Sequence, residues 1–328
     1  MGPPYRQTTA ILGETPNAHV DVPISAVFIA LYVVGAAAHM ARFRINLSRG
    51  HKFLPSAATF GFCMTRIAAN SLRIAWGVHP ADVPLSIAAQ IFVAAGVVIL
   101  FILNLLYAQR ILRAVHPVVG WSGPFSYALR AVYVLIILTL IMVITVTVQS
   151  FYTLDTHTRL IDADILRYGT SLFATVASLP FAIIAYVAIA PRNKEMEDHF
   201  GQGSLKAKCL IVTTAAALLS LGAWFRAGIN YESPRPVGDP AWYHSKACFY
   251  IFNFSVEIIV VYLYLLSRVD LRFHVPDGSS KRRHYGIPAS MFEQDNVEGQ
   301  HWTQLRGESG GDSEGPSFQM LDVPISRF

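Results

Sequence analysis

Seven stretches of this chain are too long and too apolar for the remaining residues to cover in water. A helix crosses the hydrocarbon layer with about 20 mostly apolar residues. Windows of that kind run over roughly Pro23–Phe43, Leu54–Val78, Pro84–Gln109, Ser126–Ser150, Tyr168–Ala190, Ala207–Arg226 and Tyr243–Ser267. Composition agrees: 53% of the 328 residues are hydrophobic and only 14% are charged, so most of the chain belongs in lipid. The expected fold is an all-α membrane protein, a seven-transmembrane helix bundle over residues 22–274. It is preceded by a polar segment, 1–21, and followed by a disordered tail, 275–328, rich in Gly, Ser, Asp and Glu.

The net charge of +5 does not point to nucleic acid, because the basic residues fall in short clusters between apolar windows rather than along one wet surface. They read as topology signals. One set of loops holds sixteen Lys and Arg, among them Arg42, Arg110, Arg192 and Arg268; the opposite set holds six, including Arg6, Arg159 and Arg235. The positive-inside rule then places the first set in the cytosol, the N-terminus outside and the C-terminus inside. Residues 1–21 lack the basic start and short apolar core of a cleavable signal, so the first window is expected to stay as an anchor. Asp21-Val22-Pro23 and Asp82-Val83-Pro84 supply helix-start chemistry.

Ionisable residues inside the windows are the most informative, because an unpaired charge there costs at least about 3 kcal/mol. Arg66, Asn70 and Arg73 recur at helical spacing on one face of the second window, and Asn253 and Glu257 do the same on the seventh. At 1.5 Å per residue, Arg66 lies about 18 Å and Glu257 about 14 Å from the cytosolic boundary. A long arginine spans that difference, which predicts a buried polar pair, Arg66 with Glu257. A purely structural tie between two helices and a proton or conformational switch both fit this expectation.

Nearer the outer surface, Arg73, Trp76, Trp224, Arg226, Tyr243 and His244 share one level. They either line an outward-opening cavity for an anionic or polarised ligand or form an aromatic belt with snorkelling cations. Gln90 and Asn104 share a face of the third window, and Pro180 falls mid-window in the fifth; interhelical hydrogen bonds and a kink account for both.

No cofactor, metal or nucleic acid is expected. His39 and the other histidines fall at window ends or in loops, which argues against bis-histidine haem. Lys246 sits too near the start of the seventh window for a retinal-type Schiff base. Cys63, Cys209 and Cys248 are placed as small buried hydrophobes, and no HExxH, GxSxG or phosphate loop occurs.

The runs Phe60-Gly-Phe-Cys-Met-Thr-Arg-Ile67, Leu72-Arg-Ile-Ala-Trp76, Ala108-Gln-Arg-Ile-Leu-Arg-Ala-Val-His-Pro117 and Arg268-Val-Asp-Leu-Arg-Phe273 resemble those of a fungal family of multi-spanning membrane proteins that carries only a domain-of-unknown-function label. The resemblance covers about Asp21 to Pro276. It implies a filamentous-fungal source and a seven-span bundle, and it brings no reaction, ligand or site.

Three functional classes remain open. A receptor-like or ligand-sensing protein has the bilayer, a small lipophilic or anionic ligand and a cytosolic protein at the basic loops as partners. A membrane enzyme of a fungal secondary-metabolite pathway uses Glu257 as general acid. A carrier requires an internal repeat, which the sequence does not show.

Overall fold

The computed structural model describes residues 2–193 and 197–275, together with Ser279 and Tyr285. Apart from those two positions, the tail after Val275, including the basic run 280–284, lies outside the described residues. Among the described residues the secondary structure is helical, save for one isolated antiparallel bridge between Thr9 and Pro236.

Four long rods are continuous helices: α1 (Ala18–Ser48), α2 (Leu54–Val78), α6 (Gly123–Tyr152) and α7 (Thr156–Ile189), and α8 (Leu205–Tyr231) adds a fifth. The third apolar window becomes two helices, α3 (Val83–Gly96) and α4 (Val98–Val115), joined at Val97. The last becomes α9 (Lys246–Phe249), a π-helical segment (Tyr250–Ser255) and α10 (Val256–Leu266). Two short helices, α5 (Pro117–Gly120) and α11 (Val269–Arg272), complete the set. Helix starts are fixed chemically: the side chains of Asn17, Asp82, Ser122, Asp155 and Ser204 each accept a backbone N–H from the first turn. Asn17 therefore caps α1, and Asp21, read in the sequence as part of the helix start, lies inside the helix.

The rods close a ring. In order, α1 packs on α2, α2 on α3, α3 on α6, α6 on α7, α7 on α8, α8 on the π segment and α10, and α10 back on α1. The break at Val97 lets α4 leave that ring and run inside it, against α2, α7 and α8. Thirteen of the 18 residues of α4 are buried, so this helix fills the centre of the half of the bundle farther from the N-terminus. Among the described residues no helix fills the N-terminal half in the same way.

Among the described residues six helices are long and apolar enough to cross a membrane: Ala18–Ser48, Val83–Val115, Gly123–Tyr152, Thr156–Ile189, Leu205–Tyr231 and Lys246–Leu266. Val27, Val34, Ile137, Leu138, Ile141 and Ile259 stand more than half exposed on their outer faces, the surface a multi-pass membrane protein offers to lipid. The long helix outside this set is α2, whose Arg66, Asn70 and Arg73 lower its apolarity while all three are buried in the bundle.

Candidate functional site

A charged knot lies where α2, α3, α8 and α10 meet. Arg66 donates from Nε and Nη2 to the two oxygens of Glu257 at 2.6 and 2.7 Å, with the side chains 0% and 1% exposed. Its third nitrogen, Nη1, donates to the carbonyls of Phe92 and Val93 at 3.1 and 2.9 Å. These carbonyls are near the end of α3, just before the break at Val97. Gly96 makes the approach possible, since a Cβ there would stand 2.9 Å from Arg66 Nη1. Phe62 and Phe254 flank the guanidinium, with ring centroids at 5.3 and 5.6 Å.

Arg226 of α8 reaches the same carboxylate from the other side. Its Nη1 donates to Asn253 Oδ1 at 2.9 Å and lies 3.7 Å from Glu257 Oε1. Asn253 belongs to the π segment, and its amide donates back to the carbonyl of Phe249 at 3.0 Å. Gly222 lets α8 press against this segment, because a Cβ there would meet the Phe252 carbonyl oxygen at 2.6 Å. Two guanidinium groups share one carboxylate, so the knot carries one surplus positive charge, on the side of Arg226.

A second knot lies nearer the N-terminal face. Asp21 is fully buried and accepts from Arg73 Nε at 2.9 Å, Lys246 Nζ at 2.6 Å, the Tyr250 hydroxyl at 2.9 Å and its own cap's backbone, Asn17 N, at 2.8 Å. Arg73 also donates to the Gly13 carbonyl at 2.5 Å and stacks 4.1 Å over Phe249. The knot joins α1, α2, α9 and the N-terminal segment.

Between the knots and the N-terminal face lies a cavity of about 650 Å³, within the range of small-molecule sites. Val93, Val97, Phe101, Val143 and Phe173 give it an apolar wall; Arg226 and Asn253 stand at its deep end, and Asp162 on α7 at its shallow end. The N-terminal segment roofs it: Gln7 through Leu12 line the cavity. Tyr5 N donates to Phe151 O at 2.7 Å, Ala10 N to Arg235 O at 2.8 Å and Gly13 N to His244 O at 2.7 Å. The side-chain amides of Gln7 and Gln90 exchange hydrogen bonds at 3.3 and 3.4 Å.

Of the six residues expected around an outer cavity, Arg73, Trp76, Arg226 and His244 line it, while Trp224 and Tyr243 do not. Trp224 is 51% exposed and donates to Ser178 Oγ at 3.0 Å; two residues before Arg226, it sits about 200° around α8 and faces outward. Tyr243 stacks with Trp242 and His244. His39, read at a window end, lies within α1, buried, with Nε2 3.2 Å from the Val261 carbonyl. Gln90 and Asn104 are separated by the Val97 break: Asn104 donates to Val212 O and accepts from the Tyr264 hydroxyl. Asp21, Lys246, Asn253 as an arginine ligand and Asp162 went unnoticed as site residues. A carboxylate within one turn of an apolar window was the available signal for Asp21.

Titratable groups outside the apolar helices are shifted at both ends of the bundle. Burial, then the charge of Arg235, hold the His244 imidazole below its ordinary value, with Glu14 opposing; its Nδ1 accepts from Ala241 N at 3.2 Å. At the opposite end Asp270 sits below the usual carboxylate range: burial pushes it up, and the hydrogen bonds from Arg268 and Asn46 with the nearby arginine charges outweigh that. Among the described residues no three His, Cys, Asp or Glu side chains gather as a metal site.

Comparison with known proteins adds one finding. Residues 199–274 match a family model described as a protein of unknown function, DUF3112. That segment contains Arg226, Lys246, Asn253 and Glu257 and omits their partners Asp21, Arg66 and Arg73. No curated protein matches the chain, and no solved structure does.

Proposed function

We propose that this chain is a seven-helix, receptor-like membrane protein, N-terminus outside and C-terminus in the cytosol, that senses a small lipophilic ligand with an anionic or polarised group. The observation that carries the reading is the cavity itself, apolar along its walls and bearing at its deep end the surplus charge of Arg226. A half-buried guanidinium with an incomplete counter-charge favours an acceptor from outside the chain.

The seventh crossing is α2. Its 25 residues extend about 37 Å, and its polar stripe is turned inward, so lipid meets only its apolar side. Orientation follows from the excess of Lys and Arg at the end of the bundle away from the cavity, which also offers a basic surface to a cytosolic protein partner. Glu257 does not line the cavity and is held by two arginines, which favours sensing over acid catalysis.

The test is to purify the protein from the membranes of its own cells, denature it and identify released small molecules by mass spectrometry, alongside a Val93→Trp variant whose added ring fills the cavity. A lipophile present in the wild type and depleted in the variant supports the reading. Equal recovery from both, or none from either, overturns it. Epitope tags at the two termini reporting one side of the membrane would sink the topology.

A further inference from the structure

Asp162 is the least expected residue in the cavity. It is 6% exposed, it lines the cavity, and its Oδ2 has no hydrogen-bond partner among the described residues. Among the described residues no Lys, Arg or His nitrogen stands within ion-pair distance of it. Its charged neighbours on α7 are engaged elsewhere: Arg159 Nε donates to the Thr153 carbonyl at 3.1 Å, while Arg167 donates to Asp164 at 2.8 Å and to the Asn230 carbonyl at 2.9 Å. Across the cavity, Glu232 at the end of α8 is exposed and also lines it, about midway in level between Asp162 and Arg226. A buried carboxylate that Arg159, three residues away on the same helix, could have satisfied, and does not, is an acceptor kept for something else.

The cavity thus has at its mouth one unpaired carboxylate, Asp162, with Arg159 and Arg167 also in the lining, and at its floor the guanidinium of Arg226. Its lining on α7 runs from Thr156 to Phe173, about 25 Å of helix. The register between α7 and α8 is fixed by the hydrogen bond from Asn230 to Thr170 at 3.2 Å. Asp162 lies eight residues above that level and Arg226 four below it, a separation of about 18 Å along the bundle axis. Between the poles the wall is Val146, Val143, Phe173 and Val97.

We propose that the cavity is built for an elongated, two-ended lipophile whose cationic nitrogen is held by Asp162 at the mouth and whose anionic or acceptor end is held by Arg226 and Asn253 at the floor. This rests on the reading of the cavity as a ligand site and specifies the ligand. A carboxylate or carbonyl end accepts from the guanidinium; an ammonium end donates to Oδ2; the chain between them is covered by apolar wall. A one-ended fatty acid leaves Asp162 unpaired, and a one-ended amine leaves Arg226 with its surplus charge. Each end contributes a charge-assisted hydrogen bond, which corresponds to at least about tenfold in affinity.

The test measures binding of ω-aminododecanoate, dodecanoate and dodecylamine to the full chain in lipid nanodiscs, with ω-aminooctanoate as a control too short to reach both poles. The expected result is that ω-aminododecanoate binds at least about tenfold more tightly than either one-ended probe and than the short homologue. Asp162→Asn should bring its affinity down to that of dodecanoate, and Arg226→Gln to that of dodecylamine. Arg226→Lys keeps the charge and should keep most of the preference, which separates loss of a pole from loss of fold. Asp162→Asn removes an unpaired carboxylate, so its unliganded thermal stability should equal or exceed the wild type's. Equal binding of the three twelve-carbon probes, no binding of any, or a preference that survives Asp162→Asn overturns the two-pole assignment. Recovery of a native lipophile by mass spectrometry would in that case leave the cavity's role as a ligand site standing, whereas its absence from the wild type removes both.

Discussion

Arg66 and Glu257, 191 residues apart in the chain, hold each other through two hydrogen bonds of 2.6 and 2.7 Å with almost no exposure to solvent. Removing one partner of such a pair leaves an uncompensated buried charge, at about 3–5 kcal/mol. Glu257→Gln should therefore lose folded protein from detergent extracts, measured as a fall in monodisperse yield and in unfolding temperature. Exchanging the two residues should not rescue the fold. A carboxylate at position 66 cannot donate to the Phe92 and Val93 carbonyls, and an arginine at 257 would face Arg226.

Asp21 ties two cations and a hydroxyl to one buried carboxylate. Asp21→Ala should cost at least as much as loss of Glu257, since it strands Arg73, which is 3% exposed. Lys246→Met should be milder, because Lys246 is 16% exposed and its departure leaves Arg73 paired. Thermal unfolding of the two variants side by side checks the ranking. A second readout is proteolysis near Gly13, whose carbonyl Arg73 holds; cleavage should accelerate in Asp21→Ala only.

The π segment Tyr250–Ser255 sets the rotation of everything after it. One residue fewer there rotates α10 by about 100°, which carries Glu257 away from Arg66. Deleting Ile251, an outward-facing residue 51% exposed, should damage the fold as severely as losing Glu257, whereas Ile251→Ala should be nearly silent. Comparing yields of the deletion and the substitution separates register from side-chain effects.

Acid should loosen the cavity's roof through His244. Its pKa is depressed below the ordinary 6.5, so the unfolded state takes up the proton first, and the stabilisation is complete above about pH 6.5 and lost as pH falls through the folded value. Protonation also abolishes acceptance from Ala241 N. The protection factor of the Gly13 amide, whose N–H bonds to the His244 carbonyl, should fall between about pH 7 and pH 5 once the slower intrinsic exchange at low pH is divided out. His244→Gln, which offers a non-titrating acceptor, should flatten that dependence.

Each apolar window corresponds to a helix or a helix pair because hydropathy alone demands it, and the Arg66–Glu257 pair followed from depth counted at a fixed rise per residue. What periodicity could not show is angular and long-range. Nothing around Val97 spells a break, since Gly96 is one of several glycines in apolar windows; it acts as one because Arg66 needs the space beside it. The π segment is equally silent, being Phe- and Tyr-rich like its flanks. Asp21 was taken for helix-start chemistry, and only the fold brings Arg73 and Lys246 to it. Trp224 shared the right depth with Arg226 and the wrong side of the helix. Asp162 carries no signal in the sequence, because its isolation is visible only against the hydrogen bonds its neighbours make.

The strand-like run from Tyr5 to Gly13 is stitched across the mouth by backbone hydrogen bonds to three separate elements. Whatever is joined ahead of Tyr5 is consequently delivered to the doorway of the pocket. A fluorophore placed there would work as a gauge of occupancy, and a bulky fusion partner would act as an obstruction.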